Sequence, residues 1–252
     1  MDFKKRLIVN VMDKGGVGKS YATVHIAEYL REYAEELNFR IKDPDLMNST
    51  AKTLLPEGTD VIDATDAFEL DSVLSSLADN DIVLMDGMGS QQTNILKTWN
   101  FDVNLLESLQ AYEARITYIF VVLDDTRETI EQVREGLKLT TGMLEQGDYP
   151  DGIIDFLIVR NKVPVRSIVE KNTSSMWMTS QTRAQALKHG AVEIVFEELN
   201  DDMQRSIEKN KLTMCQGEAY WRPSDVMAAQ RFKQSWARMV DATHSAREVI
   251  LP

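Results

Sequence analysis

The sequence predicts an α/β fold with a doubly wound, mostly parallel sheet and helices on both faces. Short apolar runs rich in β-branched residues alternate with longer amphipathic stretches along the chain. Strands buried on both faces of a parallel sheet are apolar in this continuous way, and strand–helix alternation indicates right-handed βαβ units. No Pro/Gly/Ser-rich segment divides the chain, so we expect one domain over residues 1–252.

Seven segments are candidate strands, the second and third of them weaker than the rest. In chain order they are Leu7 to Met12, Phe39 to Ile41, Asp60 to Ile62, Ile82 to Met85, Tyr118 to Leu123, Ile153 to Val159 and Val192 to Phe196. The amphipathic pattern predicts helices over Ser20 to Glu36, Thr126 to Leu144 and, at the C-terminus, residues 223–250. Ligands of such sheets bind at the carboxyl ends of the strands, so the residues after each strand are the best functional candidates.

Composition excludes several classes of protein. The chain has 252 residues, a formal net charge of −12 and 43% hydrophobic residues, enough for a sizeable core. No apolar run reaches the roughly 18 residues of a membrane span. The single cysteine, Cys215, excludes a disulfide framework and any multi-cysteine metal site within one chain. The apolar stretch near the start is too short for a secretory signal, so we expect a cytoplasmic protein.

Charge is divided unevenly along the chain. Residues 1–159 hold 14 Lys+Arg against 29 Asp+Glu, a net charge of −15, whereas residues 160–252 hold 14 against 11, a net charge of +3. The acidic total excludes a generally basic nucleic-acid coat. It is compatible with a local basic face in the last third, although so small a surplus is also ordinary variation between surfaces.

A glycine-rich loop follows the first candidate strand and opens the first candidate helix. It reads Asp13-Lys14-Gly15-Gly16-Val17-Gly18-Lys19-Ser20. Glycines let consecutive backbone N–H groups turn inward around phosphate oxygens, and the helix N-terminus adds positive potential. The lysine of such a loop reaches the β- and γ-phosphates, and the hydroxyl after it binds magnesium. Nucleotide binding is therefore assigned to Gly15, Gly16, Val17, Gly18, Lys19, Ser20 and Tyr21, with Ser20 also on the metal and Lys19 also in catalysis.

A second lysine distinguishes this loop from the strict Gly-x-x-x-x-Gly-Lys-Ser/Thr pattern. Asp13 takes the first position and Lys14 follows it. In this form the loop resembles the deviant Walker A loop of the ParA/MinD superfamily, which includes ATPases of plasmid partition, division-site placement and conjugative transfer. The resemblance implies a P-loop NTPase fold, bound ATP and Mg²⁺, and an ATP-dependent homodimer. It also implies that Lys14 acts in catalysis, crossing the dimer interface to the phosphate held by the other subunit.

Two acids, Asp43 and Asp45, follow the second candidate strand, and their spacing of two can direct both side chains to one side. The pair is similar to the superfamily's Asp-x-Asp motif, and Asn48 resembles the asparagine shortly after it. The resemblance implies that Asp45 acts on the attacking water and that Asp43 supports the metal and the loop. Here proline separates the acids instead of following them, so the two roles could be exchanged. Asp-Pro-Asp is also ordinary turn chemistry.

Asp86 ends the fourth candidate strand, which is the Walker B arrangement in which a carboxylate holds magnesium directly or through water. Gly87 and Gly89 would let the backbone after it approach the γ-phosphate. The fifth strand ends in Asp124-Asp125, which we interpret only as a cap of the helix that follows.

Asn161 follows the sixth candidate strand within the segment Arg160-Asn161-Lys162-Val163-Pro164. Guanine-specific GTPases use Asn-Lys-x-Asp at this place, and the aspartate reads the base. Pro164 replaces that aspartate, which argues against guanine. An asparagine at this strand end contacts adenine in the ParA/MinD superfamily, so the resemblance implies that Asn161 reads the base of ATP. An ordinary loop asparagine is the alternative.

The C-terminal segment, residues 223–250, allows three interpretations. Its apolar residues form one stripe, so a core helix docked on the sheet is the expected one. It could lie on a membrane, as the C-terminal helix of MinD does, but the stripe is interrupted and Asp241 and Glu248 dilute its basic face. It could lend basic residues to a DNA-facing surface of the dimer, as in ParA proteins. For Trp177 the sequence leaves two interpretations, packing in the core or an exposed site for a partner.

The sequence as a whole predicts an ATP-hydrolysing dimeric switch in DNA partition or conjugative plasmid transfer. ATP would close the dimer, the closed dimer would bind DNA or a centromere-binding or transfer-complex protein, and hydrolysis would release it. Alternatives are a MinD-like spatial regulator, a small-molecule ligase or kinase of the dethiobiotin-synthetase type, and a scaffold without hydrolysis. An iron-protein-like reductase is excluded, because that chemistry needs two cysteines per chain. We expect no membrane partner.

Overall fold

A parallel sheet is the centre of the fold. The computed structural model describes residues 3–46, 49–87, 92–99, 104–145, 147–171 and 174–252. Within them lie the strands β1 Lys5–Asn10, β2 Phe39–Asp43, β3 Thr59–Val61, β4 Ile82–Met85, β5 Ala114–Leu123, β6 Ile154–Val163 and β7 Val192–Glu197. They form one sheet in the order β3-β2-β4-β1-β5-β6-β7, and every neighbouring pair is parallel.

Helices fill most of the connections between the strands. They are α1 Lys19–Tyr33, α2 Thr50–Leu54, α3 Ala67–Ser75, α4 Gln92–Thr98, α5 Leu105–Ala111, α6 Arg127–Leu144, α7 Val165–Val169, α8 Gln181–Lys188, α9 Asp201–Asn210, α10 Met214–Trp221 and α11 Val226–His244. The chain first winds outward from β1 to β3, then returns through β4 and winds the other way to β7. Right-handed crossovers in two directions place helices on both faces of the sheet. In the described residues, no helix is long and apolar enough to cross a membrane.

The predicted elements are present, with shifts at their ends. β5 begins at Ala114 rather than Tyr118. Arg115 and Thr117 interrupt the apolar run in the sequence, so the apolar pattern alone marks the strand only from Tyr118 onward. The first helix ends at Tyr33 rather than Glu36, since the backbone of the next residue leaves the helical region. Polar insertions and helix ends are where periodicity carries least information.

The central strands are buried on both faces. Leu7, Ile8 and Val9 of β1 are at most 1% exposed, and most of β5 is equally buried. A strand that packs helices on both faces has no solvent side, so its apolar run is continuous rather than alternating. This is why these strands are recognisable in the sequence.

The C-terminal helix α11 docks as a core helix. It packs against α1 and β7, and its buried residues include Phe232, Met239 and Val240. It is shorter than the expected 223–250, because Asp225 caps its N-terminus and the chain after His244 passes into a 3-10 turn. The core interpretation of this segment is therefore the one that the structure supports.

Arg6 ties the end of the chain to the first strand. Its fully buried guanidinium donates to the carbonyl oxygens of Glu248 and Leu251 at 3.0 and 2.7 Å and pairs with Asp155 at 2.6 Å. A buried cation without such acceptors would be strongly unfavourable. The C-terminal segment thus belongs to the same folded unit as the sheet.

The strand order reverses at β1, which lies between β4 and β5. Sheets of this kind bind ligands in the crevice at the carboxyl end of such a reversal. The loop of residues 13–20 follows β1 and leads into α1, so the fold brings the phosphate-binding pattern to that crevice.

Candidate nucleotide-binding site

Two glycines with left-handed backbone shape the loop of residues 13–20. Gly16 has φ +72°, and Gly18, the N-cap of α1, has φ +99°. Other residues adopt such conformations only with strain, so the turn into α1 needs glycine at both positions. A Cβ on Gly15 or Gly16 would meet no described atom within 4 Å. This side of the loop therefore has room for a ligand.

Lys19, the first residue of α1, is 7% exposed. Its ammonium donates to the main-chain oxygen of Lys14, 2.7 Å away, so the lysine folds back over its own loop. Burial lowers its pKa, and the carboxylates of Asp86, Asp13 and Asp45 oppose that shift. An ammonium that donates to a loop carbonyl is suited to exchange that partner for phosphate oxygens.

Asp86, directly after β4, is 2% exposed. Its Oδ1 accepts from the Thr23 hydroxyl at 3.0 Å and the Gly87 amide at 2.8 Å, and Ser20 donates a further hydrogen bond. Burial raises the pKa of Asp86 to about 6; the charge of Asp43 adds to the rise and the hydrogen bonds oppose it. A divalent cation would offset the unfavourable burial of this carboxylate, which suits the predicted magnesium role.

Asp43 and Asp45 have different surroundings. Asp43, the last residue of β2, is 1% exposed, and its carboxylate accepts from the Asp45 amide at 3.1 Å and the Ser49 hydroxyl at 2.6 Å. Asp45 is half-buried, and its charge acts on Lys19. The inner acid, Asp43, therefore supports the turn and lies near Asp86, while the outer acid, Asp45, lies near Lys19. This arrangement agrees with the implied division of roles, which stays a prediction.

Gly87 packs directly against Lys19. A Cβ on Gly87 would lie 2.6 Å from Lys19 Cδ and 3.1 Å from the main-chain oxygen of Asn10. Only glycine lets the segment after β4 pass so close to Lys19. Asn48 and Gly89, which complete two of the predicted motifs, lie outside the described residues.

Asn161 contacts the loop itself. Its Nδ2 donates to the Val17 carbonyl at 2.7 Å, and its Oδ1 accepts from the Lys162 amide at 2.9 Å. A Cβ on Gly18 would overlap the Asn161 amide, so the two segments are tightly packed. Both polar ends of this side chain are thus bonded within the chain, and Asn161 holds the loop against β6. Its contact with a base stays a prediction.

Tyr21 turns its side chain away from the loop. Its hydroxyl lies 3.5 Å from the Met239 sulfur on α11, and its ring packs edge-on against Phe196 with centroids 6.3 Å apart. Burial raises the pKa of the Tyr21 phenol. The predicted nucleotide contact at this position is therefore restricted to the main chain, because the side chain belongs to the core under α11.

Lys14 lies at the rim of the loop and is bound to α6. Its ammonium forms an ion pair with Glu128, and its backbone amide donates to Gln132 Oε1 at 3.1 Å. The lysine side chain is 32% exposed and the glutamate side chain 57%. Sequence reasoning did not find either α6 residue, because they lie 114 and 118 positions away and belong to no local motif.

A second group of charges lies at the carboxyl ends of β5 and β6. Asp124 accepts two hydrogen bonds from the Arg160 guanidinium, one of them 2.8 Å long. Glu193 on β7 pairs with Arg160 at 3.5 Å and with Arg183 at 2.9 Å. Asp124 therefore serves a buried ion pair, a role that its predicted helix capping did not include.

Trp177 belongs to this group and is fully buried. Its indole donates to Glu193 at 2.9 Å, and its amide donates to the carbonyl of Asp124 at 2.9 Å. Asp125 accepts from the amide of Met176 at 3.2 Å. The packing interpretation of Trp177 is therefore correct, and the exposed partner site is not.

The residues beside the loop fit a magnesium–nucleotide complex. Ser20 and Asp86 already meet through a hydrogen bond, with Asp43 near enough to raise the pKa of Asp86. No group of three or more His, Cys, Asp or Glu within the described ranges could hold a metal ion alone. Magnesium binds few protein groups and retains water and phosphate ligands. Ser20, Asp86 and the nearby Asp43 therefore suit a metal that also binds the phosphates of a nucleotide.

The comparisons with known proteins bear on the fold. No family model matches the sequence, and no curated protein matches it either. Among solved structures, the cell-division protein MinD of Aquifex aeolicus aligns with a TM-score of 0.54 at 12% identity, over 94% of this chain and 97% of that one. MinD in its complex with MinC, from the same organism, aligns with a TM-score of 0.52 at 13% identity, over 94% and 96%.

A third solved structure, McdA of Cyanothece in complex with ATP, aligns with a TM-score of 0.49 at 11% identity over 93% and 97% of the two chains. At the identities of the MinD alignments the likeness extends to the fold alone. The chain has the fold of MinD, a P-loop NTPase fold with a parallel sheet. This confirms, at the level of fold, the resemblance that the loop of residues 13–20 indicates.

Proposed function

We propose that this chain, with the fold of MinD, is an ATPase of the ParA/MinD type that works as a dimeric switch. The observation that carries the proposal is the meeting of Lys19, Ser20 and Asp86 beside a glycine loop at the reversal of strand order. Lys14 on the rim of the same loop adds a cation that nucleotide binding within one chain does not require. It supports a closed dimer in preference to a monomeric small-molecule ligase.

Each residue has a definite task in this proposal. Bound ATP with Mg²⁺ supplies the phosphate bond that is cleaved. The loop amides bind phosphate oxygens, and Lys19 gives up its carbonyl partner to join them. Ser20 and Asp86 hold the metal. Asp45 orients the attacking water, and Asp43 is the alternative acid for that step.

We propose ATP rather than GTP as the nucleotide. Pro164 stands where a guanine-reading aspartate would be, and Asn161 is already placed against the phosphate loop. A competition experiment tests this: ATP analogues should bind at least about tenfold more tightly than the matching GTP analogues. Equal affinities would contradict the assignment of the base.

Within this class we propose a role in DNA partition or conjugative transfer, with a centromere-binding or transfer-complex protein as partner. Residues 160–252 carry a net charge of +3, and Lys209 and Arg231 on helices α9 and α11 and Lys211 directly after α9 are exposed. The apolar face of α11 is buried against the sheet, which disfavours its use on a membrane. If the closed dimer binds DNA through phosphate contacts, affinity will fall steeply across a salt series. Binding that is absent with and without ATP would overturn the DNA part of the proposal.

A nucleotide-dependent dimer is the central test. With Mg²⁺ and a slowly hydrolysed ATP analogue, light scattering after size exclusion should show a dimer for the parent protein and for Asp45→Ala. Lys14→Ala should weaken dimerisation by at least about tenfold, because a charge-assisted contact to phosphate is lost. Lys4→Ala is the matched control, since Lys4 pairs with Glu113 away from the loop. If both the parent protein and Asp45→Ala remain monomeric, the proposed dimeric switch is wrong.

Phosphate release from ATP distinguishes the proposed ATPase switch from the alternative, a small-molecule ligase or kinase. The parent protein should release phosphate from Mg-ATP slowly without any acceptor, and Asp45→Ala should not. If phosphate leaves ATP only when a small-molecule acceptor is added, the ligase or kinase alternative is correct.

A further inference from the structure

The segment from the end of β3 to the first turn of α3 presents an exposed aromatic side chain. Phe68, in the first turn of α3, is 86% exposed, whereas Leu70, Val73 and Leu74 of the same helix are buried in the core. Val61, the last residue of the edge strand β3, is 37% exposed. A large apolar side chain that a well-packed helix keeps in water is a candidate contact for another molecule.

The turn that presents Phe68 is held by hydrogen bonds. Asp66 caps α3 and accepts from the Phe68 amide at 2.8 Å. Asp63 accepts from the amide and the hydroxyl of Thr65 at 2.9 and 2.6 Å, and its own amide donates to the Glu69 carboxylate. The ring is therefore exposed on a fixed backbone, so a partner that binds it loses little entropy in ordering this surface.

Carboxylates surround the exposed ring. Residues 53–96 contain nine Asp and Glu and no Lys or Arg. Asp66, Glu69 and Asp71 are exposed, and Asp71 lies three residues after Phe68, on the same face of α3. An excess of negative charge around an apolar group favours a positively charged partner.

The cations that precede this segment have other contacts. Arg40 forms an ion pair with Asp60, and the Lys42 ammonium reaches the same carboxylate at 3.1 Å. Lys52 donates to two main-chain oxygens at 2.9 and 2.8 Å, the second of them on Thr59 of β3. Because this lysine already occupies an acceptor of the edge strand, a partner binds to the side chains rather than extending the sheet.

We propose that Val61, Phe68 and the carboxylates of Asp66, Glu69 and Asp71 form a docking surface for a basic segment of a partner protein. An apolar side chain of that segment packs on Phe68, and its lysine or arginine side chains pair with the carboxylates; a guanidinium can also stack on the ring. Nucleic acids and anionic membranes carry the same sign of charge as this surface, which disfavours both. The surface is complete within one chain, so the inference goes beyond the proposed dimeric switch.

A fluorescein-labelled synthetic peptide in which arginine and leucine alternate tests the docking surface by fluorescence anisotropy. The parent protein should bind it, less tightly as salt is raised, and should not bind the same peptide with glutamate in place of arginine. Phe68→Ser should weaken binding about five- to tenfold, because the apolar contact is lost. Asp71→Asn should weaken it about two- to threefold, because one exposed ion pair is lost.

Val169→Ser and Asp151→Asn are the matched controls. Val169 is 78% exposed on α7, and Asp151 is exposed before β6, so each change removes the same kind of group outside the docking surface. Neither should alter the affinity for the peptide. If the parent does not bind the arginine peptide, or if Phe68→Ser binds it as tightly as Val169→Ser does, the docking surface is wrong.

The same titration with and without Mg²⁺ and the ATP analogue separates this inference from the proposed function. Affinity for the peptide should be unchanged, because no residue of the docking surface belongs to the loop of residues 13–20. Binding that appears only with the analogue would overturn a surface that is complete in one chain. If the analogue produces no dimer while the peptide still binds, the switch fails and the docking surface stands.

Discussion

Asp86 and Asp124 occupy equivalent places, since each ends a strand that pairs with β1, and each is almost completely buried. Their partners differ. Asp86 is held by the hydroxyls of Ser20 and Thr23 and by a backbone amide. Asp124 is held by the guanidinium of Arg160 through two hydrogen bonds. The hydrogen bonds to Asp86 come from neutral donors, and the Lys19 cation acts on it through its charge, whereas Asp124 is hydrogen-bonded directly to a cation.

The difference distinguishes Asp86, a candidate ligand-binding carboxylate, from Asp124, a carboxylate that supports the structure through an ion pair. Burial raises the pKa of Asp86 to about 6, so its charge is kept at a cost that a bound cation would remove. Arg160 meets both Asp124 and Glu193, and these acids together raise its pKa above the ordinary value although burial lowers it. A charge that is already matched has little to gain from a ligand. At the carboxyl edge of the sheet, the acid after β4 lies where we propose that magnesium and phosphate bind, whereas the acids near β5 and β6 are already paired with arginines.

Removing the guanidinium of Arg160, which pairs with Asp124 and Glu193, should have the largest effect on stability. Arg160→Leu leaves Asp124 buried without its guanidinium, which should lower the free energy of unfolding by about 3–5 kcal/mol. Urea denaturation followed by circular dichroism measures the loss. Arg127→Leu breaks an exposed pair on α6 and should change stability by less than about 1 kcal/mol. Similar losses of stability in the two variants would mean that Arg160, Asp124 and Glu193 do not form a structural ion-pair network.

Removing the charge of Asp86 should have the opposite effect and raise the free energy of unfolding. The pKa of Asp86 is raised from 3.8 to about 6, so the folded state binds the proton more tightly than the unfolded state. Stability from this group is therefore present below the unfolded pKa and is lost as pH rises through about 6. Asp86→Asn should raise the free energy of unfolding at neutral pH by up to about 3 kcal/mol while weakening magnesium-dependent nucleotide binding.

The pH dependence of Asp86→Asn sharpens that comparison. Between about pH 4 and 7 the parent should lose stability relative to Asp86→Asn, and the two should converge at the acidic end. Asp79→Asn, which changes an exposed acid, should follow the parent throughout. A destabilised Asp86→Asn at neutral pH would place Asp86 with the supports, beside Asp124.

The smallest effect concerns the close contact between Gly87 and Lys19. Gly87→Ala puts a methyl group 2.6 Å from Lys19 Cδ, so the phosphate lysine must shift and nucleotide affinity should fall about five- to tenfold, or roughly 1 kcal/mol. Gly142→Ala is the control, because a Cβ there meets no described atom within 4 Å and alanine favours the helix. Calorimetric titration with the ATP analogue distinguishes them. Unchanged affinity in Gly87→Ala would mean that the lysine is not held at this spacing.

Particular residues mark how far the sequence could be interpreted alone. The strand, loop and helix around residues 7–36 were predictable, because apolar periodicity and the glycine pattern act within a few residues. The different surroundings of Asp43 and Asp45 were not, since one turn motif is compatible with either acid facing inward. Tyr21 shows the same limit: its main chain belongs to the loop, whereas its side chain packs under α11.

The sequence by itself determined the parallel α/β sheet, the phosphate loop and the positions of the acids that end the strands, because each depends on short-range pattern. Only the tertiary structure decided which of those acids is neutralised and where Lys14 is held. Arg160 lies 36 positions from Asp124, and Glu128 lies 114 from Lys14. The strength of a buried charge depends on such distant partners and on the water that packing excludes. Neither is encoded in local spacing, so the difference between a site and a support appears only when the chain is folded.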